Sequence, residues 1–268
     1  MNIAFWSNVA GRSATSGNML AVGIMTSVLY SLNTVMVQTD MRSKPIEEIF
    51  EGRRNDYMIH EDYSFYNRKG MNEIIDRSKL NLLNRETVET NMVNVKQTNL
   101  YYIPAARGDM ENDSIDSVNA YKMLMELLND ISDVNMWDLS NGSCLSSNSI
   151  IDKCDVVVIN ISPDPVNVLL PDDERILNKA VFLIGKYDGY SRKSVKQICR
   201  EYGISKREVG VIPYNIRYHD AIYDGKAVPF IMKNIFSKKQ DANFDFINSL
   251  FKATNIILRK AEVKGIEQ

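Results

Sequence analysis

Residues 7–21 read SNVAGRSATSGNMLA. They follow Asn2–Trp6 (NIAFW), mostly apolar and suited to a buried strand, and they lead into an apolar run from Asn18 to Leu32. The piece between, with Gly11 and Gly17, is small and polar. A strand, a small-residue loop and a buried helix are the parts of a phosphate-binding loop. The spacing nevertheless departs from GxxxxGK[ST], and no lysine stands where phosphates need one. Taken alone, the loop reads equally well as a Ser/Gly-rich turn joining strand to helix.

The rest of the chain sets the frame. It has 268 residues, 44% hydrophobic and 25% charged, which suits a globular α/β protein with a large core. A formal charge of −2 argues against a nucleic-acid coat held by charge alone. Cys144, Cys154 and Cys199 form no CxxC pair, and only His60 and His219 accompany them, so a zinc site is not expected. The sparse cysteines fit a reducing cytoplasm. Residues 18–32 fall short of the roughly 20 needed to span a bilayer.

Strands and helices alternate along the chain. Patterning predicts strands at Asn2–Trp6, Thr34–Gln38, Asn99–Pro104, Asp133–Leu139, Cys154–Ile161, Ala180–Gly185 and Glu208–Ile212. It predicts helices at about 15–32, 71–80, 114–128, 147–153, 192–202 and 242–261. The near-continuous apolar run VVVINI at 156–161 fits a central parallel strand covered on both faces. The expected architecture is α/β: a doubly wound, mainly parallel sheet flanked by helices in three layers, one domain over 1–268. The polar stretch at about 41–98 reads as a helical or loop insertion. The last amphipathic helix is expected to pack on the domain; its polar side lacks the dense basic face of a membrane-surface helix.

Ligands in such sheets sit beyond the C-terminal ends of the strands. The loops that matter therefore follow the first strand, the strand closed by Asp40 (VMVQTD), and the strand ended by Asp138. In that order the motifs resemble the ParA/MinD group of P-loop ATPases with a deviant Walker A motif. Within it they are most similar to the atypical pilus-localisation branch, the TadZ/CpaE proteins. Counted from the first strand, Val9 falls on the family's signature lysine, Ala10 and Gly11 on two glycines, Arg12 on the valine and Ser13 on the third glycine. Ala14 falls on the phosphate-loop lysine, and Thr15 and Ser16 on the paired threonines. Gln38 and Asp40 fall on the DxD aspartates and Asp138 on the Walker B aspartate. LIGKYDG at 183–189 matches the family's V-x-N-R-Y-D strand, with Gly185 at the adenine-side asparagine, and IPYN at 212–215 matches I-P-Y.

The resemblance implies ATP and Mg²⁺ as cofactors, held weakly or not at all. Gly11, Arg12, Ser13, Ala14, Thr15 and Ser16 would form the phosphate cradle, with Lys186 and Pro213 beside the nucleoside. Thr15 and Asp138 would serve the metal, and Asp40 would position water in an active enzyme. A backbone cradle tolerates substitution, but Ala14 and Val9 remove the cations that stabilise phosphoryl transfer. The expected function is a degenerate ATPase, with little or no turnover, acting as a scaffold or localisation protein for pilus assembly or secretion. It would be cytoplasmic and homodimeric, reaching the membrane only peripherally. Two alternatives stand beside it: an active ATP-driven switch with a substitute cation from Arg12 or 41–98, and a DNA-partitioning protein using the cations of 186–207.

Overall fold

The computed structural model describes residues 1–8, 13–40, 44–51, 69–106, 114–140, 144–163 and 173–262. Its centre is an eight-stranded sheet in the order β3-β4-β2-β5-β1-β6-β7-β8. The strands are β1 (Asn2–Trp6), β2 (Thr34–Gln38), β3 (Val93–Asn94), β4 (Leu100–Ile103), β5 (Val134–Asp138), β6 (Val156–Ile161), β7 (Ala180–Tyr187) and β8 (Val209–Pro213). All neighbours run parallel except β3, which pairs antiparallel with β4 at the edge. β1, β2, β5 and β6 are buried along their whole length, the pattern of strands covered on both faces.

The first crossover is α1 (Thr15–Tyr30), followed after β2 by α2 (Ile46–Glu51), α3 (Met71–Lys79) and α4 (Arg85–Asn91). Then come α5 (Ile115–Leu128), α6 (Leu145–Lys153), α7 (Glu174–Asn178), α8 (Val195–Glu201), α9 (Ile216–Tyr223), α10 (Ala227–Asn234) and α11 (Phe244–Lys260). Two apolar layers result. On one face, side chains of α1, α9, α10 and α11 meet Ile3, Phe5, Met36, Met136 and Val158. On the other, α3, α5, α6 and α8 meet Ala4, Val35, Trp137, Val157 and Phe182. Alternation along each strand sends successive residues to opposite layers.

The sheet has the expected doubly wound architecture, and the long apolar strands lie where the pattern puts them. β7 runs two residues beyond the predicted end at Gly185, because a register irregularity between Ile184 and Tyr187 lets pairing with β8 resume at Pro213. Pro213 is the last residue of β8 rather than the residue after it. The stretch 41–98 contributes α2, α3, α4 and the edge strand β3. Of these, α3 is the helix expected at 71–80; α2, α4 and β3, with α7, α9 and α10, are too short for hydrophobic period alone to reveal. Several are marked by caps: Asn84, Asp173 and Asn215 each accept a hydrogen bond from an amide at their helix start.

The terminal helix packs on the sheet. Phe246, Ile247, Leu250, Ala253, Ile257 and Leu258 of α11 are buried. A Cβ placed on Gly210 of β8 would lie 2.9 Å from Ala253 Cβ, so a glycine there lets helix and strand approach. Among the described residues no helix is long and apolar enough to cross a membrane.

Candidate functional site

The order of the sheet makes β1 the pivot: chain connections lead to β5 and β2 on one side and to β6, β7 and β8 on the other. This reversal leaves a crevice at the C-terminal edge. Val9, Ala10, Gly11 and Arg12 lie outside the described residues, as do 41–43, 141–143 and His60. The ends of the first loop are described. Ser7 follows β1 and Ser13 precedes α1, and the Ser13 hydroxyl donates to Ser7 Oγ across 2.7 Å.

Ala14 is the N-cap of α1 and adopts the left-handed conformation, φ 56° and ψ 39°. No side chain caps this 16-residue helix, and its first turn holds no acidic residue. An α-helix start carries amides without intrahelical acceptors and a partial positive charge. Here they face the strand ends from Ala14 to Gly17, which are only half-buried.

Against this start stand two carboxylates. Asp138 ends β5, pairs in register with Gln38 of β2 and Phe5 of β1, and is 2% exposed. Asp40, two residues beyond β2, is also buried. The carboxyl of Asp138 is pushed from an ordinary 3.8 to about 7, by burial first. The negative charge of Asp40 pushes the same way, and a hydrogen bond from Ser16 opposes both. The side chain that joins Asp138 is thus Ser16, one residue beyond Thr15. Around the pair the backbone is tied down: Thr39 donates from both its amide and its hydroxyl to the Asp138 carbonyl, at 2.9 and 3.0 Å. Gln38 donates to the Lys44 carbonyl and accepts from the Ile46 amide, both at 3.0 Å, which fixes the start of α2.

Lys186 and Pro213 sit on the other flank. Lys186 is exposed and left-handed, φ 52°, at the irregularity of β7. Pro213 pairs with Tyr187. β7 also reaches the loop: a Cβ on Gly185 would lie 2.3 Å from the Ser13 carbonyl oxygen and 2.6 Å from Asn18 Nδ2. The asparagine that the family resemblance would put at 185 has no room there. The structure therefore brings Ser16, Asp40 and Asp138 together at the start of α1, with Ser13, Ala14 and Thr15 leading into it, and places Lys186 and Pro213 at the C-terminal ends of β7 and β8.

Sequence reading missed Asn18 and Asn160. Both are buried, and the amide of Asn18 bridges Ser13 and Asn160. The signal was present: a lone amide in the apolar strand VVVINI and another at the head of an apolar helix. His219 is exposed, in line with a surface role, and Cys154 and Cys199 are small buried core residues.

With this geometry the fold is the P-loop NTPase fold of the ParA and MinD ATPases. A ParA family ATPase from Chlorobium tepidum TLS superposes with a TM-score of 0.68 at 13% identity, covering 94% of this chain and 96% of that one. A chain of the Aquifex aeolicus MinC:MinD cell division protein complex gives 0.66 at 14%, over 96% and 95%. The septum site-determining protein MinD of Pyrococcus horikoshii OT3, solved with Mg-ADP, gives 0.61 at 12%, over 99% and 96%. No protein-family model matches the sequence, and no curated protein does.

Proposed function

We propose that the chain is a ParA/MinD-related protein that keeps the anion cradle and the carboxylates but not the cationic side chains, and works mainly as a scaffold or localisation protein. Its turnover is absent or very slow. The observation that carries this is the bond from Ser16 to Asp138 at the uncapped start of α1. It supports shifting the family correspondence by one residue. Ala14, left-handed, stands where the loop wants glycine. Thr15 then takes the lysine position and Ser16 the metal-side hydroxyl, while Gly11 keeps a glycine position and Ala10 replaces the signature lysine. Both lysines are absent in either register.

The donor set suits Mg²⁺: a hydroxyl at Ser16 and carboxylates at Asp138 and Asp40 are hard oxygen ligands. Bound there, the ion would offset the negative charge of nucleotide phosphates. None of Ser13–Ser16, Asp40 and Asp138 is cationic, so two carboxylates oppose a free polyphosphate. Nucleotide is expected to bind only as its Mg²⁺ chelate, with Lys186 and Pro213 beside the nucleoside. Without a lysine the described end of the loop, Ser13–Ser16, offers amide dipoles and hydroxyls, and loss of a transition-state cation costs on the order of 10³–10⁵ in rate.

The dimeric state and a pilus or secretion apparatus as partner belong to the same proposal and rest on the TadZ/CpaE resemblance. Within the segment 186–207, Lys193 pairs with Glu201 at 2.6 Å, which weakens the case for a free cationic face. Titration calorimetry with ATP, with and without Mg²⁺, tests the reading. Weak Mg²⁺-dependent binding, with turnover no faster than that of Asp138→Asn, is expected. Submicromolar binding with hydrolysis abolished by Asp40→Ala would replace it with the ATP-driven switch.

A further inference from the structure

We propose that Asn18 and Asn160 form a neutral latch that holds the end of the phosphate loop in its anion-receiving shape, whether or not a phosphate is bound. The inference rests on reading this loop as a phosphate cradle. Asn18 lies in the first turn of α1, and its Nδ2 donates to the Ser13 carbonyl at 2.9 Å and to Asn160 Oδ1 at 2.8 Å. Ser13, Asn18 and Asn160 are 2%, 3% and 1% exposed, so water does not compete for these bonds. Asn160 Nδ2 faces the carbonyls of Trp6 at 3.4 Å and Val158 at 3.3 Å, which leaves its oxygen turned to Asn18.

The Ser13 carbonyl is thereby held from two directions. Asn18 donates to it, and Gly185 of β7 packs so closely against it that even a Cβ would collide at 2.3 Å. The Ser13–Ser7 hydroxyl bond closes the loop's base. A carbonyl fixed inward cannot turn toward a phosphate and repel it, and the amides that follow stay available at the helix start. A lysine ammonium can both donate to loop carbonyls and supply charge; a carboxamide supplies the donation alone. The end of the loop at Ser13 and Ala14 is then set by the protein rather than by nucleotide, as a constitutive scaffold needs and a nucleotide switch does not.

Hydrogen exchange of the full chain, read over residues 13–18, tests this with and without Mg-ADP. Wild-type protection there should be the same in both conditions. Asn18→Leu should speed exchange at 13–18 at least 10-fold while the central strands stay protected, and should weaken Mg-ADP binding at least 10-fold. Asn160→Ala should give the same pattern at smaller size, and serves if Asn18→Leu does not fold. Ile257→Ala, a cavity in the α11 layer, should lower the melting temperature and leave both readouts unchanged. Unchanged exchange at 13–18 in both latch variants, or strong slowing of wild-type exchange by Mg-ADP, overturns the proposal. Should wild type bind no Mg-ADP while the exchange pattern holds, the latch stands and the cradle reading falls.

Discussion

At the scale of single residues, Asp138 and Ala14 each carry a cost within the site. A carboxyl raised to about 7 keeps its proton in the folded state over a range where the unfolded chain has lost it. Below about pH 4 both states are protonated and the effect vanishes. Between about pH 4 and 7 the folded state binds more protons, so stability falls as pH rises, by roughly 4 kcal/mol in all. Asp138→Asn should therefore be more stable than wild type at pH 8, equal to it near pH 3, and without the Mg²⁺-dependent nucleotide binding; urea titrations across pH check this. Ala14 has a different cost. A left-handed alanine costs about 1–2 kcal/mol, part of which glycine would return to the unfolded chain as entropy. Ala14→Gly should stabilise by about 0.5–1 kcal/mol in chemical denaturation and leave Mg-ADP binding intact.

At the scale of elements, the site depends on how closely β7 approaches the loop. Its tight point is Gly185, where any side chain meets the Ser13 backbone. Gly185→Ala should cost about 2 kcal/mol or more, since neither the strand nor the latched carbonyl can yield cheaply. Its effect should appear as faster exchange at 13–18, beyond what the loss of stability explains. The end of α6 shows the opposite case, a contact with no role in the crevice. Lys179 Nζ donates to the carbonyls of Ile151, Asp152 and Cys154 at 2.6, 3.2 and 3.0 Å and so caps the helix C-terminus. Such local contacts lie in the sequence only as a lysine; nothing in its neighbours announces them.

At the scale of the whole molecule, α11 decides whether the chain is a closed domain or carries a surface-seeking tail. Its apolar side is spent on β8 and α1. Leu250→Ala should therefore destabilise by about 2–4 kcal/mol in denaturant unfolding, whereas Phe251→Ala, at a position that is 39% exposed, should change stability by less than about 1 kcal/mol. Comparable, small effects at both positions would mean the helix does not pack as described.

The hydrophobic pattern of the chain was enough to determine the layers. Runs such as VVVINI and NIAFW, apolar without alternation, fit strands covered on both faces as in a parallel sheet, because apolar length is a local property. It also placed Asp40 and Asp138 at strand ends. The helices at 46–51, 85–91 and 216–234 escaped it, since such short helices carry too little period and are held by caps and neighbours, whereas the helix at 71–79 was legible. Only the tertiary structure decided what meets at the crevice. That Ser16 rather than Thr15 reaches Asp138 depends on where α1 begins, a matter of one dihedral at Ala14. That Asn18 holds Ser13 depends on β6 and β7, more than 140 residues away, closing behind the loop. Contacts between distant strands form by packing, and packing is a property of the folded whole that no window of sequence contains.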